Sequence, residues 1–132
     1  MTSTPATTPA TAVLKMTTLD CADVRTEAAF WSALLGWDVA HVQDEYAMIT
    51  DPGGASPALG LGQVAGYQPP AWPDEGGRKQ FHLDLACDDV AATEERALAM
   101  GATLADPQPG ETWRVLLDPA GHPFCLTDAS RW

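Results

Sequence analysis

The chain has 132 residues, 45% of them hydrophobic, and carries 18 acidic against 7 basic side chains, a formal net charge of −11. This length suits a single compact domain that buries its core without disulfide or metal support. The acidic excess argues against a nucleic-acid partner, because that binding needs basic groups to neutralise phosphates. No apolar run approaches the roughly 18 residues of a membrane span, so no membrane partner is expected. Three scattered cysteines favour a reducing, cytoplasmic setting over a disulfide framework.

The composition also divides the chain into segments. Residues 1–12 consist almost entirely of Thr, Ala, Ser and Pro without charge, which predicts a low-complexity tail. We expect a single globular domain over 13–132, with a first module at 13–64 and a second module at 80–128. A linker rich in Pro and Gly, at 65–79, joins the two modules.

An internal repeat relates the two modules. The segment LDCADV at 19–24 matches LACDDV at 85–90 at an offset of 66 residues. The turn sequence DPGG at 51–54 matches DPAG at 118–121 at an offset of 67. Matching landmarks in the same order and at nearly one spacing predict two copies of the same structural unit.

The first module predicts a strand, a helix and three more strands. Alternating side chains indicate a strand over Val13–Cys21, after which Asp23 is placed to cap a helix over Val24–Leu35. Gly36 follows as a left-handed helix end. Turn chemistry then separates three short strands, Trp37–Val42, Tyr46–Thr50 and Ala58–Val64.

The second module repeats this order. A strand is expected over Gln80–Cys87, then Asp89 as cap of a helix over Val90–Met100, with Gly101 behind it. Three strands complete the module, Thr103–Ala105, Thr112–Leu117 and Phe124–Thr127. The predicted fold is therefore α+β, built from βαβββ twice.

This duplication resembles the vicinal oxygen chelate superfamily, which has the glyoxalase/bleomycin-resistance/dioxygenase fold. The matching segments are LLGW at 34–37, HLDLACDDV at 82–90, ALAMGA at 97–102 and DPAGHPFCL at 118–126. Within the superfamily, the chain most resembles small bacterial glyoxalase-like domain proteins. The resemblance implies that the two βαβββ modules form a curled mixed sheet around a cavity, often across a homodimer interface. One fold hosts many chemistries, so the activity does not follow from it.

The resemblance also implies metal ligands on the first and last strands of each module. In the second module these positions hold His82 and Cys125. In the first module they hold Met16, whose thioether suits divalent cations poorly, and the stretch 58–62, which has no ligand side chain. We therefore expect no metal cofactor of the usual kind. A divalent metal at His82, held also by Cys125 and one unidentified group, stays open.

Side chains near these positions are candidates for ligand binding. The resemblance places Trp72, between prolines in the linker, near the cavity mouth, where it lines the pocket or anchors the loop. Trp113 and Tyr46 are candidates for the same wall, as is Met16. Asp84 lies two residues after His82, so the two share a face of a regular strand.

The same residues are the candidates for catalysis. His82 is interpreted either as a general base or as a structural histidine. Cys125 is interpreted either as a nucleophile or as a small buried residue. Asp84 is then a partner of His82 or an acid of the pocket. His41 and His122 are interpreted as surface residues.

Two functions stay open, and both use a small-molecule ligand. The first is a binding protein of the glyoxalase/bleomycin-resistance type, without the usual metal, that sequesters a small cationic or aromatic ligand in a homodimer. The alternative is a lyase or isomerase acting on a small metabolite through His82, with Asp84 or Cys125, with or without a divalent metal. A third possibility is a domain whose partner protein supplies the function.

Overall fold

The structure is a computed structural model that describes residues 9–72 and 81–132, and every structural statement below concerns these residues. They form two four-stranded mixed sheets with two helices. Module one contains β1 Met16–Cys21, α1 Val24–Leu35, β2 Asp38–Val42, β3 Tyr46–Thr50 and β4 Ala58–Gln63. Module two contains β5 Leu83–Cys87, α2 Val90–Ala99, β6 Thr103–Leu104, β7 Arg114–Leu117 and β8 Pro123–Asp128, followed by a short 3-10 helix at Ala129–Arg131.

The two sheets have the same topology. The strand orders are β1-β4-β3-β2 and β5-β8-β7-β6, so the first strand of each module lies parallel to the last, and the remaining pairs are antiparallel. Met16 pairs with Ala58 at the start of one parallel ladder, and Leu83 pairs with Phe124 at the start of the other. The predicted α+β fold of two βαβββ modules is confirmed.

Capping residues start both helices and end α1 where the sequence predicted, whereas α2 ends at Ala99, one residue before the predicted Met100. The Asp23 carboxylate accepts hydrogen bonds from the backbone N–H of Arg25 and Thr26 at 3.1 and 3.2 Å, and Asp89 accepts one from Ala92 at 3.0 Å. Gly36 ends α1 with φ of 69°, a conformation that glycine adopts without a steric penalty.

Several strand limits differ from the prediction by one to three residues. The first strand begins at Met16 rather than Val13, because β4, its hydrogen-bonding partner, begins at Ala58 and leaves Val13 and Leu14 without a ladder. Both side chains are exposed. The predicted strand start at Gln80 and the linker residues 73–79 lie outside the described residues.

An aromatic cluster joins the modules on the helix-facing side of the sheets. Trp31 of α1 is fully buried, with its ring centroid 5.0 Å from that of Phe124 in β8 and 5.2 Å from that of Phe30. The Trp31 Nε1–H donates to the Asp118 carboxylate at 3.0 Å. Module one therefore buries Trp31, its largest fully buried side chain, against module two.

A second contact between the modules corrects the prediction for His122. This residue is half-buried rather than at the surface, and its Nε2 lies 2.6 Å from the carbonyl oxygen of Asp20. Because a carbonyl only accepts, Nε2 carries the proton. Tyr67 lies 3.2 Å from the same nitrogen and donates to the Ala120 carbonyl at 2.7 Å.

No helix in the described ranges is long and apolar enough to cross a membrane.

Candidate ligand-binding site

The face of module two that points away from its helix carries most of the predicted site residues. Side chains alternate along β5 and β8, and Leu83, Leu85 and Phe124 pack into the helix-facing core. The residues between them point to the opposite side, together with Val115, which pairs with Cys125 in the neighbouring strand β7. We call this side the open face of module two, and its residues are His82, Asp84, Val115, Cys125 and Thr127.

Three chemically active groups converge on this open face. The His82 Nε2 lies 3.3 Å from the Asp84 Oδ1, and with Cys125 Sγ the three residues offer atoms within 4.8 Å of one another. The His82 and Asp84 side chains are 40% and 43% exposed, whereas Cys125 is 9% exposed. Asp84 and Cys125 are direct partners in the β5–β8 ladder, so strand pairing itself brings them together.

A cavity of about 380 Å³ opens beside this cluster. Two indoles, Trp113 and Trp132, contribute to its wall, and the Trp132 Nε1–H donates to the Thr127 hydroxyl at 2.8 Å. Hydrogen bonds from the Ser130 hydroxyl and backbone N–H lower the pKa of Asp128, which keeps that carboxylate charged. The full lining is His82, Asp84, Thr112, Trp113, Cys125, Thr127, Asp128, Arg131 and Trp132.

Trp72 lies on the same side of module two but has a different neighbourhood. It packs against the small apolar cluster of Ala105, Val115 and Cys125, and its Nε1–H donates to the Pro107 carbonyl at 3.0 Å. Trp72 is not among the described residues that line this cavity. Trp72 therefore packs beside Cys125 and Val115 rather than lining the cavity.

The corresponding face of module one lacks metal-binding chemistry. The Tyr46 hydroxyl lies 3.3 Å from the Met16 sulfur, so these two predicted residues contact each other. Gly60 pairs with Thr18 as Cys125 pairs with Asp84, which makes Gly60 the equivalent of Cys125. A Cβ at Gly60 would lie 2.7 Å from the Thr18 hydroxyl and 3.0 Å from the Met16 sulfur. The two-module ligand set of the resembled superfamily does not fit this chain.

Two larger clefts separate the edge strands β1 and β5. One, of about 990 Å³, is lined by residues of both modules, among them Asp20, Tyr67, Phe81, His82 and His122. The other, of about 860 Å³, lies on the helix side, and Asp84 contributes to it. His82 lines both the first of these clefts and the cavity of module two, and Asp84 lines both the second cleft and that cavity.

The sequence reasoning missed Thr112, Thr127, Asp128, Arg131 and Trp132 at the cavity. Asp128 and Thr127 end β8, the strand that carries Cys125, so a regular alternation from Cys125 would have identified Thr127. Trp132 carries no spacing signal, because a 3-10 turn at Ala129–Arg131 folds it back onto the open face.

Comparison with known proteins agrees with this architecture. The glyoxalase-like domain family matches residues 16–127. A glyoxalase/bleomycin resistance protein/dioxygenase family enzyme from Burkholderia phytofirmans PsJN superposes with a TM-score of 0.68 at 20% identity, over 89% of this chain and 99% of that one. The trypanothione-dependent glyoxalase I of Leishmania major gives 0.67 at 18% identity, over 92% and 89% of the two chains.

A third similar structure is a bleomycin-binding protein from Streptomyces verticillus in complex with copper(II)-bleomycin. Its TM-score is 0.56 at 14% identity, over 91% of this chain and 98% of that one. No curated protein matches this chain in sequence.

The match to the glyoxalase-like domain family, on a duplicated βαβββ fold, places the protein in the vicinal oxygen chelate superfamily. Within it, the match over residues 16–127 shows that the chain belongs to the glyoxalase-like domain family.

Proposed function

We propose that this chain is a small-molecule-binding protein of the glyoxalase/bleomycin-resistance type that sequesters a planar, cationic ligand on the open face of module two. The main support is one 380 Å³ cavity that combines the indoles of Trp113 and Trp132 with the carboxylates of Asp84 and Asp128. Indole faces attract planar and cationic groups, and a nearby carboxylate adds charge attraction. The volume is at the lower end of the range for small-molecule pockets.

Three further observations agree with this proposal. Module one offers Met16 and Gly60 where a two-module metal centre would need ligands. The Streptomyces verticillus neighbour binds a small molecule on the same fold. The net charge of −11 raises the local concentration of cations around the protein.

The test is a calorimetric titration of the full chain with proflavine, a planar cation, and separately with pyruvate as the anionic comparison. We expect proflavine to bind and the variant Trp113→Phe to weaken binding by about 2- to 10-fold, since stacking contributes about 0.5–1.5 kcal/mol. Trp37→Phe is the matched control, because Trp37 lies on the helix side. Binding of pyruvate but not proflavine, or equal losses in both variants, would contradict the proposal.

A second candidate function rests on the contact between His82 and Asp84. A carboxylate 3.3 Å from Nε2 orients the imidazole, and an oriented imidazole is the arrangement of a general base. We propose proton abstraction next to a carbonyl as the reaction class, as in a lyase or isomerase. Exchange of pyruvate methyl protons with deuterated water, followed by NMR, tests it. Catalysed exchange that His82→Gln abolishes would support this function, and exchange at the uncatalysed rate would exclude it.

We further propose that the protein is a cytoplasmic homodimer. The edge strands β2 and β6 expose Val39, Val42 and Leu104, each about two-fifths accessible, beside unpaired backbone groups. A second copy would cover such edges. Light scattering during size-exclusion chromatography tests this: a dimer mass that Val39→Lys converts to a monomer mass supports the proposal, and a monomer mass for the natural chain refutes it.

A further inference from the structure

We propose that the β7–β8 turn of module two, residues 118–122, is a proton-dependent latch between the modules. The latch stays on α1 while Glu27 and Asp118 share one proton, and it leaves α1 when that proton is lost to solvent. The starting observation is geometric: two carboxyl groups, one from each module, are 1% and 3% exposed and meet where the modules join. The inference is independent of the function proposed above, because it uses no residue of the open face.

Hydrogen bonds from both modules converge on the two carboxyls. The Trp31 Nε1–H of α1 donates to Asp118 Oδ2 at 3.0 Å. The Ala120 N–H of the latch donates to Glu27 Oε1 at 2.7 Å and to Asp118 Oδ1 at 2.9 Å. The His122 N–H donates to the same Oδ1 at 2.8 Å. Three of the four carboxyl oxygens therefore have donors, and two of these bonds run between the modules.

The fourth carboxyl oxygen requires the shared proton. Glu27 Oε2 is buried and meets no donor among the described residues, while the Glu27 carboxyl is hydrogen-bonded to that of Asp118. Ionised carboxylates only accept hydrogen bonds, so two carboxyls bond to each other only when one of them keeps a proton. Loss of that proton leaves two adjacent negative charges and an unpaired buried oxygen. Movement of the latch away from α1 relieves both costs, because it admits water.

The groups around the pair do not compensate a second negative charge. The titratable side chains that surround it from the neighbouring elements are Asp20 and Cys21 of β1, Asp23 at the start of α1, Tyr67 of the linker and His122 of the latch. Burial, followed by the two carboxyls, raises the pKa of Cys21 to about 11 and also raises the pKa of Tyr67, so both groups stay neutral near pH 7. No ion pair within residues 9–72 and 81–132 includes Glu27 or Asp118.

Release of the latch widens the cleft between β1 and β5. Trp31 and Tyr67, which contact the latch, and His122, which belongs to it, line this cleft of about 990 Å³. The His122 Nε2–H crosses to the Asp20 carbonyl of β1 at 2.6 Å, and the Tyr67 O–H donates to the Ala120 carbonyl at 2.7 Å. Both bonds break when the latch leaves module one. The pH therefore controls how far the cleft opens.

The direction of the pH effect follows from the Glu27 carboxyl. Burial, followed by the neighbouring Asp118, raises the pKa of Glu27 well above its ordinary value of 4.5. In the open state, water restores the ordinary value. Opening between these two values releases one proton, so its equilibrium constant rises about tenfold per pH unit. The latch is closed at low pH and opens as the pH rises.

The experiment measures hydrogen exchange of single backbone amides by NMR, in the full natural chain and in Glu27→Gln, at pH 6, 7 and 8. The neutral amide keeps the hydrogen bonds of the protonated acid and has no proton to lose. We expect the Ala120 and His122 amides to exchange faster in the natural chain than in Glu27→Gln, by a ratio that grows about tenfold per pH unit. A ratio that stays constant with pH, as ionisation of His122 alone would give, would overturn the proposal.

A comparison within the natural chain separates latch opening from unfolding of the whole chain. The Ala120 and His122 amides should be less protected than the amides of β3, which lies in the interior of the module-one sheet. Equal protection would show that only global unfolding exposes the turn, and it would refute the latch.

Two further variants and one titration complete the test. Glu95→Gln removes an exposed carboxylate of α2 and should keep the pH dependence of the natural chain, so equal effects of the two Gln variants would refute the proposal. Tyr67→Phe removes one bond to the latch and should speed exchange at Ala120 by a factor that does not vary with pH; a varying factor would assign the titration to the phenol instead. A carbon-13 signal of the natural Glu27 carboxyl that is already ionised at pH 6 would also overturn the proposal.

Discussion

Glu27 gives the sharpest prediction about stability. This residue of α1 is only 1% exposed, and its Oε1 accepts a hydrogen bond from the Ala120 backbone N–H at 2.7 Å. Burial, followed by the neighbouring Asp118 carboxyl, raises the pKa of Glu27 far above its ordinary value of 4.5. The folded protein therefore binds this proton more tightly than the unfolded chain.

The sign of the pH effect follows from that difference. The contribution of Glu27 to stability is fully present below pH 4.5 and is lost as the pH rises toward the raised value of the folded state. A difference of one bound proton changes the free energy of unfolding by about 1.4 kcal/mol per pH unit. The stability lost between pH 4.5 and pH 7 therefore reaches up to about 3 kcal/mol.

Glu27→Gln tests this reasoning, because a neutral amide has the shape of the protonated acid and cannot ionise. We expect the free energy of unfolding of the variant, relative to the natural chain, to rise steadily between pH 5 and pH 8. Urea unfolding followed by tryptophan fluorescence measures it, with the exposed Glu95→Gln of α2 as the control. A difference between Glu27→Gln and the natural chain that stays constant with pH would refute a buried, protonated Glu27.

Three other predictions concern single contacts, each measured by the same unfolding experiment. Gly60→Ala should destabilise the fold by about 1–3 kcal/mol, since its Cβ would lie 2.7 Å from the Thr18 hydroxyl, whereas Gly62→Ala, with a nearest contact of 3.6 Å, should cost less. Similar costs for the two would contradict the close approach. Asp23→Ala should cost about 1 kcal/mol through the lost helix cap, and no loss would mean that solvent replaces it. Trp31→Phe should cost about 1–3 kcal/mol beyond its packing, because a buried carboxylate loses its indole donor.

Local chemistry explains why the fold was predictable. Asp23 and Gly36 begin and end α1 through hydrogen bonds within a few residues, so their roles are visible in the sequence. The repeat then transferred the same assignment to Asp89 and the second module. Strand limits such as Met16 were less certain, because a strand starts where its partner strand, distant in sequence, starts.

The site residues show the same difference between contacts that are local in sequence and contacts that are distant. The shared face of His82 and Asp84 follows from an alternation of two residues, and the sequence predicted it. The sequence could not show that Cys125 lies directly opposite Asp84, because a ladder between strands about 40 residues apart sets that register.

The sequence by itself therefore determined the duplicated βαβββ plan, the helix caps and the loss of ligands in module one. Only the tertiary structure decided that Trp132 returns to the cavity, that His122 joins the modules rather than facing solvent, and that Glu27 is buried beside Asp118. The physical reason is the distance along the sequence between the interacting residues. Caps, turns and strand faces depend on neighbours a few residues away, whereas burial and contacts between charged groups depend on how the two modules pack against each other.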